Sequence, residues 1–324
     1  MTAVTTIRET RDRRAAHDSL VPRERSLRAA VSLRLGVALR RRRALWEGRG
    51  TRRRLRATGK DAARTLGLDD LHELLHRYER PRLFSYSAEA FVARGEERAA
   101  FLDALPAPSG GRGAGRRSLE IGCMDGMVSA GLARRGWDAI AIDPASDAFD
   151  QRARDAGASL RCMHAEALEL PDDSIDLAFS YDAFEHVADP AVAFREVLRV
   201  VSPGGLVYLN FGPLYNSRLG LHAYRQIPIP FCQFLFDRET LDAYCRENEL
   251  RPIKYEQLNG WPLARFRAVW RDERARMRTL RYVETFSSDG MDLVERYPEL
   301  FRRDGLDYEE LACENIEALF EVRT

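Results

Sequence analysis

The stretch RSLEIGCMDGMVSAGLARRGWDAIAID, residues 117–143, decides the fold of this chain. It begins as a short strand ending at Ile121, continues through a loop with two glycines, and becomes an apolar-periodic helix over Val128–Arg135. Gly136 ends the helix, and Asp138–Asp143 alternates as a second strand. This order of strand, glycine loop, helix and strand predicts a βαβ unit of a parallel sheet.

The same stretch predicts a nucleoside site at the carboxyl ends of the two strands. Glycines let the backbone approach a ligand closely, and the start of the helix offers free N–H groups. Asp143 ends the second strand, roughly 20 residues after the first glycine, where an acid suits the two hydroxyls of a ribose.

The residues of the glycine loop indicate which nucleoside binds. A dinucleotide site would show G-x-G-x-x-G, whereas this chain has Glu120-x-Gly122-x-Met124-x-Gly126. An acid before the first glycine can hold an ammonium group, so the expected ligand is an amino acid joined to a nucleoside. The motif resembles the E/D-x-G-x-G-x-G of the class I S-adenosylmethionine (SAM) methyltransferases, with Met124 in place of the middle glycine. The resemblance implies SAM as cofactor, held by these four residues and Asp143.

Two later blocks extend the resemblance. Residues 163–190, MHAEALELPDDSIDLAFSYDAFEHVADP, are similar to the family's G-D-A-E-x-L-P-F-x-D-x-S-F-D pattern followed by E-H-V, and RVVSPGGLVYLN is similar to its R-V-L-x-P-G-G-x-L. The resemblance implies that adenine lies against His164 and the backbone of Ala165, and we also assign Glu166 and Tyr181 to the cofactor site. It covers residues 115–256 and returns at 316–322.

The family fold implied is α/β: a Rossmann-like, seven-stranded, mostly parallel sheet with helices on both faces. We expect N-terminal helices over the cofactor site at 61–110, with Phe84 and Tyr86 near the methionine end, and the core at 111–258. Within that core we expect a sixth strand near Pro252–Glu256. An aromatic loop at 212–236, a helical substrate lid at 259–314 and the last strand at 315–324 complete the expected organisation.

The first 60 residues differ in charge from the rest. They hold 17 Arg and 1 Lys against 5 acidic residues, a net charge of +13, while the remainder holds 33 basic and 45 acidic residues, or −12. We expect residues 1–25 to be disordered and Ser26–Trp46 to be an amphipathic helix. This arm is open to four interpretations: a solvated segment, a helix packed on the catalytic domain, a membrane-surface helix or a nucleic-acid contact.

Cysteine and histidine spacing predicts no structural metal. The five cysteines form no CxxC pair and the six histidines no HExxH, which favours reduced thiols in a cytoplasm. No apolar run approaches the ~20 residues of a membrane span. High arginine and alanine usage suggests a bacterial source.

Methyl transfer is an in-line displacement, which requires proximity, alignment and a dry pocket. A hydroxyl acceptor also needs a base within hydrogen-bond reach. We therefore name His186, just after the fourth strand, and His222, in the aromatic loop, as catalytic candidates; the alternative for His186 is a helix-start histidine bonded to backbone. Substrate-binding candidates are Tyr215, Tyr224 and Trp261.

The sequence therefore predicts a SAM-dependent methyltransferase acting on a small molecule, with a hydroxyl of a natural product or sugar as the expected acceptor. One alternative is an RNA or protein methyltransferase recruited by the basic arm, although the −12 charge of the remainder disfavours nucleic acid. Another is a SAM-binding protein that transfers no methyl group. A homodimer is open, because aromatic insertions often serve as dimer surfaces.

Overall fold

The computed structural model of the chain describes residues 48–57, 65–81, 85, 87–106 and 116–323. The predicted helix Ser26–Trp46, the disordered segment before it, and Phe84 and Tyr86 lie outside the described residues.

The described part of the chain is built on one seven-stranded sheet. Its strands are β1 (Arg116–Ile121), β2 (Trp137–Asp143), β3 (Ser159–Cys162), β4 (Ile175–Tyr181), β5 (Val201–Phe211), β6 (Met277–Phe286) and β7 (Cys313–Val322). They lie in the order β3-β2-β1-β4-β5-β7-β6; the first five are parallel, and β7 runs antiparallel to both of its neighbours, β5 and β6. The predicted seven-stranded, mostly parallel α/β sheet is confirmed.

Helices occupy both faces of the sheet and the region beyond it. They are α1 (Arg49–Ala57), α2 (Leu68–Leu75), α3 (Ala88–Asp103), α4 (Met127–Ala133), α5 (Gln151–Asp155), α6 (Pro190–Val200), α7 (Cys232–Leu235), α8 (Arg238–Glu247), α9 (Leu263–Asp272), α10 (Met291–Arg296) and α11 (Tyr308–Ala312). Short 3₁₀ helices cover Tyr255–Gln257 and Pro298–Phe301. None of these described helices is long and apolar enough to cross a membrane.

The sheet is covered by apolar side chains on each face, as a mostly parallel sheet requires. On one face, α6 and α9 pack Phe194, Phe266 and Trp270 against β5 and β7. On the other face, α3 and α4 contribute Ala99 and Leu132 to a cluster with the strands. The two helices pack closely, because a Cβ added at Gly95 of α3 would lie 2.7 Å from the backbone of Met127.

A second apolar cluster lies beyond the sheet and is called here the lid cluster. It is formed by α2, the 221–236 loop, α8, α10 and α11, with Leu71, Phe231, Phe234, Val294 and Phe301 among its buried members. Of the two predicted N-terminal helices, therefore, only α3 lies beside the glycine loop and its helix. The other, α2, packs on α8. Just before α2, the N–H of Leu66 donates to the carbonyl of Leu235 (2.8 Å).

The predicted position of the sixth strand is wrong. Residues 252–254 have no regular secondary structure and Tyr255–Gln257 form the 3₁₀ helix, while β6 lies at Met277–Phe286, inside the segment expected to be a helical lid. The physical reason is that β6 is an edge strand held by β7 alone, so its exposed side carries Arg278 and Thr279 and shows little of the apolar pattern of a core strand. Its pairing with β7 joins residues far apart in sequence, which local patterns do not encode.

The end of the basic arm is packed against the rest of the protein. In α1, the hydroxyl of Thr51 donates to Oε1 of Glu295 (2.9 Å), and Leu55 packs against the lid cluster. The guanidinium of Arg52 lies over the ring of Tyr308, 5.4 Å from its centroid. Residues 49–57 agree with one of the four interpretations of the arm, namely a helix packed on the catalytic part.

Candidate functional site

The glycine loop is pressed closely against neighbouring loops. A Cβ at Gly122 (φ +69°) would lie 2.3 Å from the Cβ of Ala183, and one at Gly126 (φ +77°) would lie 2.6 Å from the side chain of Leu160. Side chains at these two positions would clash, so glycine is required at both. Met124 also has a positive φ, of 47°, at a cost of about 1–2 kcal/mol for an L-residue. Its side chain is 41% exposed, so Met124 keeps a backbone conformation suited to glycine while its side chain stays on the surface.

Asp143 ends β2 facing this loop. The N–H of Met124 donates to its Oδ2, and the N–H of Ala145 donates to its Oδ1, both at 3.1 Å. Each carboxylate oxygen has two acceptor positions. One on each oxygen therefore remains for a ligand, which suits the two hydroxyls of a ribose.

Glu120 is buried beneath the loop and is tied to α4. Its Oε2 accepts from the N–H of Ser129 (3.0 Å) and from the Ser129 hydroxyl (2.6 Å). Burial raises the pKa of Glu120 to about 7, against the lowering effect of Ser129. The carboxylate thus fixes the helix that follows the loop, and its Oε1 makes no hydrogen bond within the described residues.

The residues predicted around adenine follow β3. His164 is exposed and Ala165 is buried. Glu166 has a hydrogen bond within the protein, since its Oε1 accepts from the N–H of Asp189 (3.1 Å). Asp189 in turn caps α6, so Glu166 connects this loop to the next one.

Tyr181 ends β4 and faces α3. The Arg98 guanidinium lies 4.3 Å from its ring centroid and also forms an ion pair with Asp182, while the ring of Tyr208 lies 5.3 Å away. Burial raises the pKa of Tyr181 well above its usual range, so its hydroxyl stays protonated. Tyr181 therefore cannot act as a base near neutral pH.

The two histidines named from the sequence lie side by side. His186 follows β4 and His222 follows β5, and their ring centroids are 5.0 Å apart in an edge-to-face arrangement. Parallel neighbouring strands bring their following loops to the same edge of the sheet, which is why residues 36 positions apart meet here.

Backbone carbonyls fix the tautomer of each ring. The Nδ1 of His186 lies 2.8 Å from the carbonyl oxygen of Gln257, and the Nε2 of His222 lies 2.9 Å from that of Pro213. A carbonyl only accepts, so each of these nitrogens carries the hydrogen. The lone pair that can accept a proton is then on Nε2 of His186 and on Nδ1 of His222.

Both imidazoles are neutral at pH 7. Desolvation lowers the pKa of His186 and lowers that of His222 to about 4. Asp182 acts in the opposite direction on both rings, but its charge is paired with Arg98. His186 is exposed and His222 is half-buried.

Asn259 clamps the loop that carries His186, and sequence reasoning missed it. Its Nδ2 donates to the carbonyls of Phe184 and Val187, both at 3.0 Å, and its Oδ1 accepts from the N–H of Trp261 (2.9 Å). Its own N–H donates to the carbonyl of Glu185 (3.1 Å). The only signal in the sequence was the Asn-Gly pair at 259–260, which indicates a turn and says nothing about its partner.

Glu185 joins the two histidine loops from beneath. Its Oε1 accepts from the N–H of Gly212 (3.1 Å), the residue before the Pro213 whose carbonyl orients His222. The Oε2 of Glu185 is buried and has no partner in the described part of the chain. Burial raises the pKa of Glu185 to about 8, so this side chain is protonated and uncharged at pH 7. The hydrogen bond from Gly212 shows that Glu185 holds this loop, while Asp189 caps α6.

The three aromatic candidates for substrate binding are not together. The ring centroid of Tyr224 lies 6.2 Å from that of His222, and Tyr215 packs at 6.5 Å from Phe234. Trp261 is only 4% exposed and belongs to the core beside Phe266, with Arg265 covering its ring. The indole of Trp261 thus packs in the core cluster of the sheet, and its role as a substrate contact stays a prediction.

The described residues contain no group of three or more side chains arranged to hold a metal ion. They do fit the predicted cofactor, because the glycine loop, the spare oxygen positions of Asp143 and the buried Glu120 lie at the carboxyl ends of β1 and β2. All five cysteines are free thiols.

Comparison with known proteins gives the same assignment. Residues 119–209 match a family described as "Methyltransferase domain". An uncharacterized methyltransferase of Mycobacterium sp. (strain JLS) is 32% identical over 148 residues, which are 43% of this chain and 53% of that protein. A ubiquinone biosynthesis O-methyltransferase of Parvibaculum lavamentivorans is 28% identical over 171 residues, 46% of this chain and 66% of that protein.

The matched region thus spans about half the length of the first of these relatives. Among solved structures, an S-adenosylmethionine-dependent methyltransferase from Mesorhizobium loti is 19% identical with a TM-score of 0.41, covering 71% of this chain and 99% of that one.

Proposed function

We propose, from the premise that this chain is a class I SAM-dependent methyltransferase by family, that the whole protein methylates a hydroxyl of a small molecule. The acceptor classes that we propose are natural products and sugars. The observation that carries the proposal is the pair of neutral imidazoles, His186 and His222, each with an unprotonated nitrogen at the edge of the sheet that bears the cofactor loop.

The bound cofactor supplies an electrophilic methyl group. The chain's own residues supply the rest: Asp143 and the glycine loop hold the nucleoside, and the backbone around Ala165 lines the adenine position. A hydroxyl acceptor gives its proton to Nε2 of His186 or to Nδ1 of His222, as general base catalysis requires.

A hydroxyl is favoured over an already nucleophilic acceptor because the site contains bases. Thiolates and free amines need no proton removal, and two neutral imidazoles would then be superfluous. The Parvibaculum relative is named as an O-methyltransferase, which supports this choice.

The test has two stages. Calorimetric titration of the full chain with S-adenosylhomocysteine examines the cofactor site, and micromolar binding is the expected result. A screen of hydroxylated small molecules with methyl-labelled SAM then follows, in which His186→Phe and His222→Phe should lower kcat at unchanged affinity for S-adenosylhomocysteine. If each variant kept the kcat of the wild type, the two histidines would be excluded as bases.

A further inference from the structure

The paired histidines also indicate how many hydroxyls the acceptor presents. We infer that His186 and His222 together recognise a molecule with two neighbouring hydroxyl groups, one bound to each imidazole. This inference rests on the proposed function and deepens it by naming the acceptor class, a vicinal diol or 1,2-dihydroxyaryl compound.

The first step is a count of donors and acceptors. Each ring has committed its N–H to a backbone carbonyl, so Nε2 of His186 and Nδ1 of His222 are both acceptors. A hydroxyl carries one hydrogen and can satisfy only one of them. Two hydroxyls on one molecule satisfy both, and the two acceptors belong to rings whose centroids lie only 5.0 Å apart.

The second step is that this arrangement is held rigidly. Asn259 clamps the carbonyls on both sides of Glu185 and His186, and the Gln257 carbonyl that orients His186 lies two residues before Asn259. Glu185 fixes Gly212, next to the Pro213 carbonyl that orients His222. The rings therefore cannot easily exchange tautomers to offer one donor and one acceptor.

The third step excludes an ammonium group, which also donates several hydrogens. The charged and titratable groups around the pair include Asp182, whose charge is paired with Arg98, Tyr224, whose ring centroid lies 6.2 Å from that of His222, and Glu185, which is protonated at pH 7. The same desolvation that disfavours the imidazolium form of His222 disfavours a bound cation. Neutral hydroxyls are the donors that fit.

The experiment measures binding on the full chain saturated with S-adenosylhomocysteine. The probes are matched: 1,2-dihydroxybenzene against 2-methoxyphenol, and 1,2-dihydroxybenzene against 1,3-dihydroxybenzene. We expect the 1,2-diol to bind about 3- to 10-fold more tightly than either partner, which is the contribution of one additional hydrogen bond. The ¹⁵N chemical shifts of both unprotonated imidazole nitrogens should change when the 1,2-diol is added. With 2-methoxyphenol, the shift of only one of these nitrogens should change.

Variants locate the effect. His186→Phe and His222→Phe should each abolish the preference for the 1,2-diol, whereas His76→Phe, at an exposed position after α2, should retain it. Retained affinity for S-adenosylhomocysteine shows that each variant is folded. If a phenylalanine variant does not fold, His186→Gln or His222→Gln is used in its place.

The outcomes separate this inference from the proposed function. Absence of S-adenosylhomocysteine binding would overturn both. Normal S-adenosylhomocysteine binding with equal affinity for the matched probes, with no binding of any probe, or with only one histidine responding to the diol, would overturn the two-hydroxyl inference and leave the cofactor assignment intact.

Discussion

At the residue scale, Asp143 is the side chain on which we expect cofactor affinity to depend most directly. Asp143→Ala removes the acceptor for two backbone N–H groups and for the ribose hydroxyls. Because hydrogen bonds to a charged group contribute about 1.5–3 kcal/mol, we expect S-adenosylhomocysteine affinity to fall roughly 10- to 100-fold. Calorimetry measures it, with Asp138→Ala as control, since Asp138 is exposed on the same strand and pairs with Arg117. Equal affinities in the two variants would refute the ribose assignment.

The neutral state of His222 also makes a prediction about pH. Its pKa is about 4 in the folded protein and 6.5 ordinarily, so the unfolded chain takes up this proton first as the pH falls. The contribution of His222 to stability is therefore complete above pH 6.5 and is lost as the pH falls toward 4.

Glu120 and Glu185 titrate with the opposite sign, since their raised pKa values make stability decline as the pH rises above about 4.5. The measurement must therefore be the difference in urea unfolding free energy between wild type and His222→Asn. We expect the unfolding free energy of the wild type, relative to that of His222→Asn, to decrease steadily as the pH falls from 6.5 to 4. A difference for His222→Asn that stays constant over this range would mean that the pKa of His222 is not depressed.

At the scale of elements, Glu310 fixes the start of α9. Its buried carboxylate accepts from the N–H groups of Leu263 (2.8 Å) and Ala264 (2.9 Å) and from the side chain of Asn216 (3.2 Å). Glu310→Ala leaves these donors without a partner and should cost roughly 2–4 kcal/mol of unfolding free energy. Asp304→Ala, at an exposed loop position, is the control; comparable losses in the two variants would show that the cap contributes little.

Asn259 plays the corresponding part for the loop after β4. Asn259→Ala removes three side-chain hydrogen bonds and should cost roughly 2–3 kcal/mol. Loosening the loop should also let the pKa of His186 rise toward its ordinary value, which imidazole NMR titration would record. Asn248→Ala removes a single bond to the Tyr244 carbonyl at the end of α8 and should leave the His186 titration unchanged. An unaltered His186 in Asn259→Ala would show that the clamp does not position the ring.

At the scale of the whole molecule, α1 links the basic arm to the lid cluster. Removing residues 1–57 deletes the Thr51–Glu295 hydrogen bond and uncovers the surface on which Leu55 packs. Compared with removal of residues 1–47, we expect a melting temperature roughly 2–6 °C lower, since about 1 kcal/mol corresponds to ~2–4 °C in a domain of this size class. Scanning calorimetry of the two truncations isolates α1, and identical melting temperatures would mean that its packing adds no stability.

The sequence by itself determined the sheet core and the cofactor loop. Glu120, Gly122, Gly126 and Asp143 lie within one βαβ unit, and such a unit is specified by local patterns of apolar residues, glycines and strand ends. The α3 cap is equally local, because the hydroxyl of Ser87 accepts from the N–H of Ala90, three residues on.

Only the tertiary structure decided the rest. It placed β6 at Met277–Phe286, because an edge strand gains its pairing from β7 and not from its own pattern. It buried Trp261 in the core, and it brought Asn259 to the loop of His186. These contacts join residues 27 to 75 positions apart, and their free energy comes from packing and hydrogen bonds that exist only once the sheet has formed.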